Sequence, residues 1–261
     1  MIALIRDIFL VLRKSYILKI ISLVPSLTEL LFHLGLDDQI VGRTKFCIHP
    51  DDKVTAVPKI GGTKNVNVQK VIDLKPDLIL ANKEENTKSD IEALQEVCNV
   101  HVTEIANYKE ALFAIDDIGL MTNTASKATD LIESIERKFS NLSRATDEPK
   151  ICYLIWQNPY MTVGNDTYIH DMLDLCGFQN IFDEQKRYPV VTIDQIREHD
   201  PHYIFLSSEP FPFKQKHIEE LQKELPDSHI VLVDGEYFSW YGSRMIGAAD
   251  YFERLIESLE M

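Results

Sequence analysis

The feature that most constrains this chain is that it repeats itself. Residues 66–84 (VNVQKVIDLKPDLILANKE) and 191–209 (VTIDQIREHDPHYIFLSSE) align without a gap at an offset of 125, which sets Pro76 on Pro201, Ile79 on Ile204 and Glu84 on Glu209. The echo extends upstream, where ELLFHLGL around Gly35 answers DMLDLCGF around Gly177, and downstream, where IEALQEVCNVHVTEI answers IEELQKELPDSHIVLVD. A repeat of roughly a hundred residues is too long for a solenoid unit and predicts two similar α/β lobes. Interfaces between domains supply concave, partly apolar clefts, so a ligand is expected between the lobes.

Composition narrows the choice. The 261 residues suffice for two cores, each of about 100 to 150 residues. No apolar run reaches the roughly 18 residues of a membrane span. A net charge of −14, from 41 acidic and 27 basic side chains, repels a phosphate backbone and argues against nucleic acid as a partner. Cys47, Cys98, Cys152 and Cys176 lack the C-x-x-C spacing of a zinc knuckle or a thioredoxin-type motif. Three of them sit among apolar neighbours, as small core residues do, whereas Cys47 lies in a polar loop. At the N-terminus, Arg6 and Asp7 break the apolar stretch, the run 8–12 is short for a signal peptide, and no A-x-A-like site follows. Residues 1–18 are therefore expected to form an amphipathic extension, and a cytoplasmic location stays open.

Along the chain, strands and helices alternate. The β-branched run 19–24 predicts a strand ended by Pro25, with Ser26 capping a helix whose Leu27, Leu30, Leu31 and Leu34 recur at helical spacing until Gly35 stops it. A strand at 40–42, an irregular stretch at 43–64, a helix at 68–74, a strand at 77–81, a helix at 88–97 and a strand at 100–104 complete a first lobe (residues 19–107) with a mostly parallel sheet. Residues 108–144 hold one glycine and no proline, which predicts a helical connector (residues 108–146) between the lobes. Asn123 or Thr124 is placed to cap a second helix there, and a single helix over 124–144 would be about 30 Å long. The second lobe (residues 147–261) opens with a strand at 151–156 and closes with a helix at 243–259.

In open parallel sheets, ligands meet the loops that follow the carboxyl ends of strands. Here those loops are aromatic and polar. Trp156, Tyr160, Tyr188, Trp240 and Tyr241 offer flat faces that bury large area at low entropy cost. Trp240 and Tyr241 are the stronger pair, because adjacent rings ahead of Gly242 satisfy no helix or strand period, while Trp156, ending an apolar strand, suits a core equally well. Lys45, Lys64 and Arg244 can bind phosphate, amide, carboxylate or catecholate groups by charge-assisted hydrogen bonds. Cys47 and His49 are spaced to turn a thiolate and an imidazole towards one metal. Two residues do not close such a site, so no metal centre is expected and His49 is read chiefly as a loop-holding group. His170 is expected on the first turn of a helix.

Taken together, PSLTELLFHLG after a strand, GRTKFCIHP, VPKIGGTKN, LKPDLILANKEEN, WQNPYMTVGNDTYIHDMLDLCGFQNIF, RYPVVTIDQI, LSSEPFPFKQKH and DGEYFSWYGSR resemble, in order and spacing, the substrate-binding proteins of vitamin B12 and iron-siderophore ABC importers. The resemblance runs from about Lys19 to the end and is nearest to the cobalamin-type branch. It implies two α/β lobes bridged by a backbone helix, with a cleft between them. The implied protein is a monomeric, non-enzymatic receptor of the cell envelope, without intrinsic cofactor, that hands a corrinoid such as cobalamin or a ferric siderophore to a permease dimer. Phe46, in the strand-end loop 44–49, is counted with the ligand contacts, and the resemblance implies that acids on both lobes dock the permease. The repeat places Glu84 and Glu209 equivalently for that role, with Glu85 beside the first. The rival class is a tetrapyrrole metal chelatase, but the chain lacks a converging His/Glu pair, a phosphate loop, a G-x-S-x-G elbow and an H-E-x-x-H helix. A cytoplasmic corrinoid carrier or sensor would keep the same fold.

Overall fold

The repeat has a direct counterpart in a computed structural model of the chain, which describes residues 17–259. The chain divides into two compact units after Thr103. In chain order the first unit contains β1 (Ile20–Ser22), α1 (Pro25–His33), β2 (Ile40–Arg43), α2 (Asp51–Val54), the short antiparallel pair β3 (Gly61–Gly62) and β4 (Asn65–Val66), α3 (Val68–Leu74), β5 (Leu78–Asn82), α4 (Lys88–Gln95) and β6 (Val100–Thr103). The second contains α5 (Tyr108–Met121), α6 (Ala125–Ser140), β7 (Lys150–Leu154), α7 (Tyr168–Leu175), β8 (Gln179–Asn180), α8 (Ile193–His199), β9 (Tyr203–Ser207), α9 (Gln215–Glu224), β10 (His229–Val233), α10 (Gly235–Ser239) and α11 (Met245–Leu259).

Each unit is built on one parallel four-stranded sheet, ordered β2-β1-β5-β6 in the first and β8-β7-β9-β10 in the second. Counted within its own unit, the order is the same in both. The offset of 125 holds at the level of single residues. Helices α3 and α8 occupy equivalent positions, each N-capped by a side chain: Asn67 Oδ1 accepts from Lys70 N, and Thr192 Oγ1 accepts from Gln195 N. Both helices end on a left-handed residue immediately before a proline, Lys75 (φ 51°) and Asp200 (φ 50°). The core pairs Val66/Val191, Val71/Ile196, Ile79/Ile204 and Ala81/Leu206 are buried in their respective units. Full burial of each Val, Ile or Leu among them contributes about 1.5–3 kcal/mol, which is why the apolar positions recur at the same spacing.

Helices α1 and α7 also end alike. Gly35 (φ 75°) and Gly177 (φ 82°) take the left-handed position of a Schellman turn, closed by Leu36 N to Leu31 O in one and Phe178 N to Leu173 O in the other. At its other end α1 differs from the sequence expectation. Ser26 does not cap it; Val24 is the N-cap, Pro25 fills the first helical position, and Ser26 is buried inside the helix.

Residues 108–146 fall in the second unit, where α5 and α6 pack on each other and α6 packs on α11. The break between them is at Asn123 (φ 58°), so α6 has 16 residues and a length of about 24 Å rather than 30 Å. Gly119 permits the close crossing, because a Cβ there would lie 2.4 Å from Cβ of Ala128. Of the N-terminal extension, residues 1–16 lie outside the described residues. No helix among the described residues is long and apolar enough to cross a membrane.

Candidate ligand-binding loops

In a parallel sheet every strand ends at the same edge, so the loops after the strands are gathered there. In the first unit the loop after β2 is organised from within by Arg43, only 3% exposed. Its Nη1 donates to Cys47 O (2.8 Å) and Thr44 O (3.3 Å), and its Nε donates to Val57 O (3.3 Å). Donating to three carbonyls, the guanidinium folds residues 44–47 back on the strand end. Cys47 points inward at 0% exposure, its sulfur receiving the Thr28 hydroxyl at 3.0 Å and lying 3.2 Å from Oγ1 of Thr44. Burial pushes its thiol pKa up. The expectation of Cys47 as a ligand contact is therefore corrected: metal binding needs an accessible thiolate, and this sulfur is a core atom.

The alternation that buries Cys47 turns its neighbours out. Phe46 and Ile48 are each 50% exposed, and the Lys45 ammonium lies 4.9 Å from the centre of the Phe46 ring. His49, half-buried, comes next. Among the described residues no three His, Cys, Asp or Glu side chains are arranged to hold a metal ion.

The turn after β5 is held by two asparagines. Asn82 Oδ1 accepts from Glu84 N (2.8 Å) and Glu85 N (3.2 Å), and Asn86 donates to Leu23 O and Thr63 O. Lys64, expected as a ligand contact, donates from Nζ to the Glu84 carbonyl, which ties the β3–β4 turn to this one. Glu84 is half-buried and Glu85 exposed.

In the second unit Trp156 is 39% exposed, with Phe211 against it at 5.7 Å in an edge-on contact. Met161 bridges Trp156 and Val190, and Tyr160 packs on the core while its hydroxyl meets Gln157 at 3.3 Å. Tyr188 is half-buried beside the Arg187 guanidinium (5.6 Å). Trp240 and Tyr241 reverse the expectation of open flat faces: they are 6% and 7% exposed. Trp240 donates its Nε1 hydrogen to Glu209 Oε1 (2.8 Å), Arg244 covers its ring at 4.9 Å, and Tyr241 meets Tyr168 edge-on. Arg244 is ion-paired with Glu236 at 2.9 Å.

Glu209 also departs from expectation. Its carboxylate does not stand free on a rim; Oε1 accepts from both Trp240 and Ser239 (2.6 Å). Desolvation pushes its pKa above the ordinary glutamate value, partly offset by those two hydrogen bonds. His170 lies, as expected, on the first turn of α7, where its Nδ1 is 3.2 Å from Asn180 Nδ2.

Sequence reasoning missed Arg43, Ile48 and Phe211. Phe211 had a signal in the repeated aromatics of PFPF, but Arg43 had none, since a basic residue closing an apolar strand ordinarily reaches solvent.

The periplasmic binding protein family model matches residues 20–228, most of the chain. The chain belongs to this family. An uncharacterized ABC transporter substrate-binding lipoprotein of Bacillus subtilis strain 168, YvrC, is 31% identical over 195 residues, which is 70% of this chain and 61% of that relative's length. A vitamin B12-binding protein of Vibrio vulnificus strain YJ016 is 27% identical over 205 residues, 75% of this chain and 73% of the relative. The crystal structure of the periplasmic heme-binding protein HutB of Vibrio cholerae superimposes with a TM-score of 0.76 at 20% identity, covering 92% of this chain and 98% of that one. A shared fold between this periplasmic binding protein and a heme binder does not choose its ligand; the loops do.

Proposed function

We propose that this chain is the substrate-binding receptor of an ABC importer, and that it takes a flat metal chelate of the corrinoid type and delivers it to a permease without chemical change. One observation carries the reading: the relationship to a vitamin B12-binding protein extends over 75% of the chain. The loop surfaces agree with it. Phe46 and Ile48 in the first unit, and Trp156, Phe211 and Val190 in the second, expose apolar or aromatic surface beside polar groups. That combination suits a macrocycle with an apolar face and a polar rim. Tyr160, Tyr188 and His49 extend these surfaces, and Lys45, Lys64 and Arg244 supply the charged or polar contacts to the rim.

Delivery requires a docking surface. Glu84 and Glu85 are the acids that suit it, being presented on a turn whose backbone Asn82 holds rigidly. Charge complementarity of this kind steers encounter and weakens as salt rises. Export to the cell envelope belongs to the same proposal.

Titration of the purified chain with cyanocobalamin, cobinamide, heme and ferric siderophores tests the receptor. Saturable binding of at least one, with the ligand recovered unaltered, is the expected result. Metal insertion into a free tetrapyrrole would replace the receptor with a chelatase, and binding of none of the four would remove the functional reading while leaving the family intact.

A further inference from the structure

Glu209 and the aromatic turn beyond β10 form one connected unit. The link begins in the backbone. Ser207 Oγ donates to Glu209 O at 2.6 Å and receives Glu209 N at 3.4 Å, which curls the chain immediately after β9. Helix α10 then sits against that curl. Gly235 opens α10, and a Cβ there would lie 2.2 Å from Ser207 Oγ and 2.9 Å from Glu209 Cγ, so a larger residue would have to push this contact apart. Ser208 Oγ receives Gly235 N at 2.9 Å, fastening the two segments a second time.

The side chains continue the connection. Glu209 Oε1 receives the Ser239 hydroxyl (2.6 Å) and the Trp240 indole hydrogen (2.8 Å) from adjacent residues at the end of α10. The indole carries Arg244 over its ring, and Arg244 is ion-paired with Glu236 from the first turn of α10. A carboxylate oxygen between two donors fixes the plane of the indole, and the indole in turn sets where the guanidinium lies.

We propose that Glu209 is a positioning residue of the binding turn: by accepting from Trp240 and Ser239 it orients the indole that presents Arg244 to the ligand. This rests on the proposed reading of Arg244 as a contact to the ligand's rim. It removes Glu209 from the solvent-facing acids and gives the second unit an internal carboxylate where the first has a surface one.

The test uses the full chain with Trp156→Phe, which leaves Trp240 as the only indole. Glu209→Ala in that background is expected to shift Trp240 emission to longer wavelength and to increase its quenching by acrylamide, while Glu209→Gln, which keeps an acceptor oxygen, restores both towards the parent. Unchanged emission in a folded Glu209→Ala chain overturns the proposal, as does a Gln variant that behaves like the Ala variant. Should Glu209→Ala fail to fold, hydrogen exchange of the Trp240 indole in the parent decides: protection supports the bond and exchange at the free-indole rate overturns it. In the chain with both tryptophans, Glu209→Ala is expected to weaken cyanocobalamin binding about tenfold, the usual scale for losing a buried hydrogen bond to a charged group. Equal affinity in parent and variant overturns the positioning role. Absence of cyanocobalamin binding in the parent instead counts against the proposed function, and the emission measurements still decide Glu209.

Discussion

The turns after β5 and β9 occupy the same place in the two halves of the repeat and do opposite things with the same residue. After β5, Asn82 caps the turn and Glu84 and Glu85 are carried on a rigid surface loop. After β9, Ser207 curls the equivalent turn and Glu209 reaches inward to Trp240 and Ser239. The backbone plan is common because sheet order, helix caps and core spacing constrain it in both units. Side-chain fate differs because the last strands of the two units lead to different places: in the second unit β10 runs into α10, which lands on the turn through Gly235, whereas β6 is the last element of the first unit. A repeat thus preserves the frame while neighbours outside the repeated segment set the local chemistry.

The comparison breaks most visibly at Trp240. Replacing it with Ala removes a buried indole and leaves the Glu209 carboxylate short of a donor, an expected loss of about 3–5 kcal/mol in chemical denaturation. Trp156→Ala, at an exposed ring, is expected instead to leave stability nearly unchanged and to weaken binding of whichever chelate the chain takes by about 1–3 kcal/mol. A larger stability loss at Trp156 than at Trp240 would invert the assignment of the two rings.

A smaller effect is expected at the contact that makes the second turn different. Gly235→Ala drives a methyl into Ser207 and Glu209 and should cost about 1–3 kcal/mol, read as a lowered denaturation midpoint. In the first turn, Asn82→Ala removes the acceptor of two backbone N–H groups and the donor to Thr103. An expected loss of about 1–2 kcal/mol there should be accompanied by faster amide exchange at Glu84 and Glu85 alone. Exchange that quickens throughout the unit would mean that Asn82 supports the sheet rather than the turn.

The smallest expected effect is a slope. Desolvation raises the folded pKa of Glu209 above its ordinary value of 4.5, with Glu236 and Asp234 adding to the rise and Ser239 and Trp240 opposing it; Arg244 is paired with Glu236. The fold therefore favours the protonated acid. Its contribution to stability is fully present below the unfolded pKa and is lost as pH rises through the folded pKa. Glu209→Gln should accordingly be neutral to slightly stabilising at pH 7, and should flatten the stability profile above pH about 4.5. A Gln variant that is less stable at neutral pH would show that the hydrogen bonds outweigh the desolvation.

Periodicity alone carried the architecture. Two α/β units, the helix and strand order of the first, and the glycine stop of α1 arise from contacts within a few residues or from the recurrence of apolar positions, and such contacts leave a pattern in the chain, although α1 is entered through Val24 and Pro25 instead of the expected cap at Ser26. The loop side chains were only partly legible. Lys45 and Phe46 lie outward, but Cys47 beside them and Trp240 and Tyr241 in the second unit turn in, because loops have no period from which to read a facing direction. Arg43, Phe211 and the inward carboxylate of Glu209 depend on partners far away in sequence: Val57, Trp156 and Trp240. Local chemistry and apolar spacing therefore determined the frame from the sequence, while the tertiary structure alone decided which loop groups face solvent and which are spent on one another. Burial is a property of neighbours brought together by folding, and no single segment encodes it.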